Sequence, residues 1–476
     1  MKREIAATMI AMVLFGSGTV LGQKLQKKYE RPAVKTPDTF RGETTPPDPN
    51  SIGDLRWFEV FKDPELQKLI RTAFIQNYDL RKAVARIDAE RANLGLVRSN
   101  QFPEVVATTD LTKTRLSNNG GAVGVGQKAK SRTFVDVLLN LLTFEIDIWG
   151  RLRLQTKAAR AELRASEEDR KGVTTTIVSD VATQYFSLLE LDSELDIARH
   201  TLATREDSLR LIKIREQGGV ASMLDVRQAE ELVYQASQTV PDDERLIAQT
   251  ENQISLLVGD SPGPIARGPS LNQQPELPSL PAGLPSSLLE RRPDIRSAEE
   301  NLEAQHALVY AARAAYFPRI SLTGFFGFQS GDLSNLFSGP GATWNFLPQI
   351  AQPLFVAGAL KSNVKLAKAQ REYALAQYQQ AIQVAFREVS DALVQYRKVK
   401  EVRAQQELLV TTLRDRSRLS YLRYQGGVDT LLNALDADRD LFSAELSLTQ
   451  TRRNELLSLV QLYKALVGGW QKRLIL

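Results

Sequence analysis

The chain has 476 residues, 43% of them hydrophobic, enough for a large core and more than one ordinary domain. It has no cysteine and only two histidines, His200 and His306, which excludes thiol catalysis, disulfide frameworks and Cys/His zinc centres. The net charge of +5 is spread over 61 basic and 56 acidic residues in short runs, so there is no nucleic-acid footprint.

Taken in chain order, residues 1–22 read as a secretory signal: Lys2 and Arg3, an apolar run from Ile5 to Phe15, then small residues with Val20 and Gly22 placed for cleavage before Gln23. Residues 23–62 are expected to form an extended arm, rich in Pro, Thr and Asp up to residue 54. Asp63-Pro64-Glu65 then supplies an N-cap, a first-turn proline and an acidic first turn, opening the first structural repeat, residues 63–259. A second helix starts near Asn77 and stops before Phe102-Pro103. The period then changes to two, which predicts strands over about 104–115 and 132–147 around a glycine-rich loop. A long helical hairpin follows over 154–257. Its first arm carries Val181, Leu188, Leu195, Leu202 and Leu209 at a stride of seven, and turns at Gly218-Gly219.

Residues 260–285 hold seven prolines and are expected to run over a surface as an extended linker. The plan then repeats over 286–470, with strands at about 319–330 and 342–354 and a hairpin at 359–467 turning at Gly426-Gly427; residues 471–476 are a tail. The repetition is literal in places. Asn77-Tyr78-Asp79-Leu80-Arg81 returns as Arg292-Pro293-Asp294-Ile295-Arg296, Phe102-Pro103 as Phe317-Pro318, and Gln217-Gly218-Gly219-Val220 as Gln425-Gly426-Gly427-Val428. A duplicated unit of roughly 210 residues implies two similar halves about a common axis, which favours architecture over catalysis. No apolar run after the signal approaches the roughly 20 residues of a membrane helix, so a membrane-inserted form must be a closed β-barrel. Four strands cannot close alone, whereas three chains would supply twelve, within the range of bacterial barrels. The first arm of each hairpin is long enough to reach roughly 90–100 Å.

Leu288-Leu289-Glu290-Arg291-Arg292-Pro293-Asp294-Ile295, Tyr316-Phe317-Pro318-Arg319-Ile320, Gln352-Pro353-Leu354-Phe355 with Gly358, Phe386-Arg387-Glu388-Val389 and Tyr424-Gln425-Gly426-Gly427-Val428 through Asp436-Ala437, closing on Gly468-Gly469-Trp470, resemble the TolC-like outer-membrane factors of the OprM/NodT branch. The resemblance runs from about Tyr29 to Trp470. It implies a mixed α and β membrane protein, an internally duplicated protomer whose homotrimer forms a 12-stranded outer-membrane β-barrel continued by a long periplasmic coiled-coil α-barrel. It also implies a passive channel, with no enzyme activity and no cofactor, opened at its periplasmic end by an adaptor (membrane fusion protein) and an inner-membrane pump of the resistance-nodulation-division kind.

The resemblance carries the family's aperture onto Leu432 and Asp436, with Arg439 three residues on, and its closing links onto Arg423 and Tyr424. From the residues alone, Asp436 and Arg439 are also an ordinary i, i+3 pair. Gly218, Gly219, Val220, Gly426, Gly427 and Val428 are the expected adaptor contacts as well as helix terminators. Phe325, Phe326, Phe328, Trp344 and Phe346 read as barrel aromatics in contact with outer-membrane lipid. Many members of the branch end their signal in a lipobox cysteine; here Gln23 stands in its place, and without a thiol no lipid is attached. Competing readings are a type I protein-secretion channel, a soluble periplasmic coiled-coil scaffold and, least supported, an enzyme. Acidic neighbours such as Glu299-Glu300 are more simply solvated helix faces.

Overall fold

The computed structural model describes residues 29–34, 37–41, 52–115, 131–274 and 287–466. The expected signal, most of the arm, the β1–β2 loop, the end of the linker and the chain's last ten residues, with Gln23 and Gly468-Gly469-Trp470, lie outside them. In order the elements are α1 (Trp57–Val60), α2 (Pro64–Gln76), α3 (Tyr78–Ser99), β1 (Val105–Arg115), β2 (Ser131–Glu145), α4 (Arg151–Gln217), α5 (Met223–Val258), α6 (Leu288–Arg291), α7 (Pro293–Ala314), β3 (Arg319–Ser330), β4 (Ala342–Ala351), α8 (Ala359–Gln425) and α9 (Leu431–Ala465). They fall into two compact units, one of Met1–Pro32, Ile87–Ser166 and Ala298–Tyr378, the other of Ala33–Arg86, Glu167–Ser297 and Gln379–Leu476.

The first unit holds an antiparallel sheet in the order β1-β2-β3-β4, with β1 and β4 each left with one unpaired edge among the described residues. Period-two alternation sorts its side chains. One face carries Leu111, Leu139, Phe326, Trp344, Phe346 and Ile350, all more than half exposed. The opposite face carries Thr108, Asp110, Asn140, Gln329 and Asn345. In a water-soluble sheet the apolar face would be the covered one. Small buried alanines, Ala158 and Ala161 against Ala304 and Ala307, let α4 and α7 pack closely in this unit.

The second unit has the main core, in which Val178, Val181, Tyr185 and Leu188 of α4 pack with Leu66 and Ile70 of α2, Ile254 of α5, Val389 of α8 and Tyr463 of α9. The stride-of-seven seam is buried at Val181 and Leu188 and still largely so at Leu195. On α8, Ile382 and Val389 are buried, with Phe386, Leu393 and Tyr396 packed at the core's edge.

Two expectations need correction. The arm is not structureless to residue 62: Ile52–Asp54 form a 3-10 turn and Trp57–Val60 a helical turn, because Ile52, Trp57, Val60 and Phe61 bury their side chains in the core. Nor does the described part of the linker merely cross a surface. Leu271 is buried, the Gly268 N–H donates to the Tyr185 hydroxyl (2.8 Å), and Arg267 binds Asp192 (2.9 Å) and Glu251.

The duplication is visible as a shared device. At the start of α3 the Asn77 carboxamide accepts from the N–H groups of Asp79 and Leu80 and donates to the Leu257 carbonyl at the end of α5 (2.7 Å). Its repeat partner Arg292 does the corresponding job with different chemistry, donating to the Ala465 carbonyl at the end of α9 (3.0 Å) while its guanidinium also meets Asp294 and Glu388. Each repeat thus ties the helix that leads to its strands to the helix that closes its hairpin.

Candidate functional site: the hairpin tips and the helix behind them

Both hairpins turn through a left-handed glycine, Gly219 at φ 72° and Gly427 at φ 74°. Each closes with the same two backbone bonds: Gly218 N–H to Ile214 and Val220 N–H to Arg215 in the first, Gly426 N–H to Leu422 and Val428 N–H to Arg423 in the second. The tips then differ. In the first, Ser222 and Asp225 form a reciprocal capping box at the start of α5. In the second, the Asp429 carboxylate accepts from the Thr430 N–H (2.8 Å), the Asn433 carboxamide (2.6 Å) and the Arg423 guanidinium (3.0 Å). Val220 and Val428 stand exposed at the two turns.

Those donors, Asn433 and Arg423 first, hold the Asp429 carboxyl below its usual range. A depressed carboxylate supports its surroundings above its unfolded pKa of about 3.9, and that support is lost as pH falls through the lower folded value. Asp429→Ala is therefore expected to lower amide protection factors over residues 430–434 at neutral pH, and acidification toward pH ~3 to lower them in the native chain once exchange is corrected for intrinsic rates.

Tyr424 is buried against Ile212, Val226, Ala229, Leu232, Leu431, Ala434 and Leu435, with the Arg215 guanidinium 4.6 Å over its ring. Arg423 and Tyr424 thus serve separate partners in this chain. Leu432 is half exposed on the first turn of α9, and Asp436 lies one turn on, paired with Arg439 at 3.2 Å; Arg439 also approaches Asp440, which Arg416 holds at 2.8 Å. An open groove of about 460 Å³, lined by Asp415, Arg416, Arg423, Asp429 and Asn433 among others, runs beside this helix.

Behind the exposed residues sits an ion pair that the motifs do not flag. Arg205 of α4 donates to Asp438 of α9 at 2.7 Å and to the Leu232 carbonyl of α5 at 3.0 Å, and lies 5.0 Å over the Phe442 ring. Its side chain is 3% exposed and that of Asp438 12%. The signal was available: Arg205 lies three residues after Leu202, where the apolar seam of α4 has Ala198 one heptad earlier and Ile212 one later.

Of the five barrel aromatics, Phe326, Phe328, Trp344 and Phe346 share the apolar sheet face, Phe326 directly opposite Trp344. Phe325 lies on the other face, level with Asn140 and Asn345. His306 packs between Tyr29 and Tyr310, with ring centroids 5.6 and 5.1 Å away. Among the described residues no group of three His, Cys, Asp or Glu is placed to hold a metal ion, and no helix is long and apolar enough to cross a membrane.

A family model described as outer membrane efflux protein matches residues 69–260 and 284–468, both repeats. A probable efflux pump outer membrane protein, TtgC of Pseudomonas putida, is 39% identical over 418 residues, covering 88% of this chain and 86% of its own length. Outer membrane protein OprJ of Pseudomonas aeruginosa is 35% identical over 445 residues, covering 93% and 92%. The open state of the Neisseria gonorrhoeae MtrE outer membrane channel superposes with a TM-score of 0.83 at 31% identity, over 94% of this chain and 98% of that one.

Proposed function

The chain belongs to the outer membrane efflux protein family, and from that premise we propose that it is the outer-membrane channel of a tripartite efflux system of the resistance-nodulation-division type. It works as a homotrimer: three four-stranded sheets close a 12-stranded barrel in the outer membrane, and the long hairpins form the periplasmic duct. A periplasmic adaptor and an inner-membrane pump supply the cargo, and the channel carries out no chemistry on it.

The observation that carries this reading is the sheet itself. One face is apolar and aromatic, the other is mixed and carries most of the polar side chains, and among the described residues both edges are unpaired, which suits a lipid-facing wall completed by further copies. That face also weighs against a soluble scaffold. The relatives are named as efflux components, which favours efflux over type I protein secretion.

In this reading Leu432 and Asp436 narrow the periplasmic mouth. Threefold symmetry brings three Asp436 carboxylates toward one axis, where a ring of like charge favours cations. The tips, Gly218 to Val220 and Gly426 to Val428, receive the adaptor. The repeats differ behind them, Gln228 standing where the second has Asp436, so the mouth has threefold rather than sixfold chemistry.

Photo-crosslinking probes at Val220 and Val428, which are exposed and make no side-chain hydrogen bond, test the assignment in living cells. Capture of a periplasmic adaptor is the expected result, and the pump that co-purifies with it separates drug efflux from protein secretion. Capture of the chain's own copies alone, with an adaptor demonstrably present, would overturn the tripartite reading.

A further inference from the structure

Well behind the tips, three buried carboxylates lie within one another's electrostatic reach inside the second unit. Glu190 and Glu194 of α4 and Asp243 of α5 are each at least nine-tenths buried. Among the described residues one cation faces them: Arg453 of α9 donates to Glu190 at 2.7 Å, while the Gln450 carboxamide donates to Glu194 at 3.0 Å. Asp243 fares worst, with its Oδ2 buried and no hydrogen-bond partner, and Asp242 adds a fourth negative charge beside it. The other charged groups nearby are engaged elsewhere: Asp192 with Arg267, Arg199 with Glu244, Arg245 with Asp242, and Arg403 of α8 with Glu455. Asp243 also follows Pro241 by two residues. α5 continues across that proline, which removes an N–H from the helical ladder and crowds the carbonyl one turn back.

We propose that Glu190, Glu194 and Asp243 form a proton-binding fastening that holds α5 against α4 and α9 at its proline-weakened turn, tight when protonated and slack when ionised. The inference stands on this cluster alone and does not depend on what the duct carries.

The chemistry is that of buried like charges. An ionised carboxylate only accepts, so three buried within one another's field cannot relieve one another, and one arginine cannot neutralise them all. A proton on Asp243 removes the buried charge from the orphaned oxygen and one repulsion from its neighbours. Burial, ahead of the neighbouring acids, pushes Asp243 up to about 6; burial, opposed by Arg453, pushes Glu190 up to about 7; burial raises Glu194 as well. Carboxyls raised in the folded state keep protons that the unfolded chain releases, so their stabilising effect is full below the unfolded pKa and disappears as pH rises through the folded values. The fastening therefore holds in acid and slackens between about pH 5 and 8.

Hydrogen exchange on the full-length trimer at pH about 5.5 and about 8, each corrected for intrinsic rates, reads this directly. Protection over residues 236–250 should fall at least about tenfold more than over residues 364–380 of α8. Asp243→Asn, isosteric and permanently neutral, should hold the acid level of protection at both pH values. Glu190→Gln should reduce the pH response. The proposal is overturned if the native segment changes no more than the α8 comparator, if it is better protected at high pH, or if a folded Asp243→Asn channel keeps the full response. Should a variant fail to fold, the native profile decides alone.

Discussion

Arg205→Ala is expected to destabilise the channel by about 3–5 kcal/mol, because it removes one member of a buried ion pair and leaves the other in place. Asp438 would stay buried without the cation that pairs with it, the Leu232 carbonyl would lose its side-chain donor, and the Phe442 ring would lose the guanidinium above it. The midpoint of urea unfolding in detergent, followed by helical circular dichroism, measures the loss. A double replacement, Arg205→Met with Asp438→Leu, separates the pair's own contribution from the cost of stranding its partner, and should recover most of the stability. If the single change cost no more than the double, the stranded-charge account would be wrong.

Gly259→Ala is the second large effect. Gly259 ends α5 in the left-handed region at φ 84°, which costs an alanine about 1–2 kcal/mol. Its added Cβ would also fall 2.5 Å from the Gln76 carbonyl oxygen and 2.7 Å from its carbon, both backbone atoms at the end of α2. With overpacking of about 1–3 kcal/mol added, the expected loss is about 2–5 kcal/mol. Gly219→Ala is the control, since Gly219 has nearly the same φ but nothing within 4 Å of a Cβ. Equal losses in the same unfolding assay would remove the clash argument.

The architecture was largely legible because it is periodic. The change from a 3.6 period to a period of two after Pro103 and Pro318, and the glycines at both turns, mark strands and hairpins by local chemistry that tertiary context does not override. Legibility ends where function depends on which residues meet. Asn77 and Arg292 hold corresponding places and do corresponding jobs, yet share no side-chain chemistry, so comparing the repeats as strings hides the equivalence. Asp243 is concealed in another way. It continues the stripe of Ala236, Val240 and Ile247, and only the arrival of Glu190 and Glu194 from another helix makes it unusual. The aromatic run of β3 shows how composition blurs geometry: Phe325 and Phe326 are adjacent and alike, and pleating sends them to opposite faces. The arm misled because proline-rich composition argues for extension, while Trp57, Val60 and Phe61 gain more by burial.

The unpaired edges of β1 and β4 bear on inheritance as well as on shape. A lone copy in a bilayer would expose two rows of backbone N–H and C=O groups to hydrocarbon, so insertion and assembly must be a single event. A gene encoding a chain with a spoiled β4 edge would then act on its sound neighbours. Expressed equally beside the normal gene, it would leave only about one trimer in eight free of defective copies, and the damage would behave as genetically dominant.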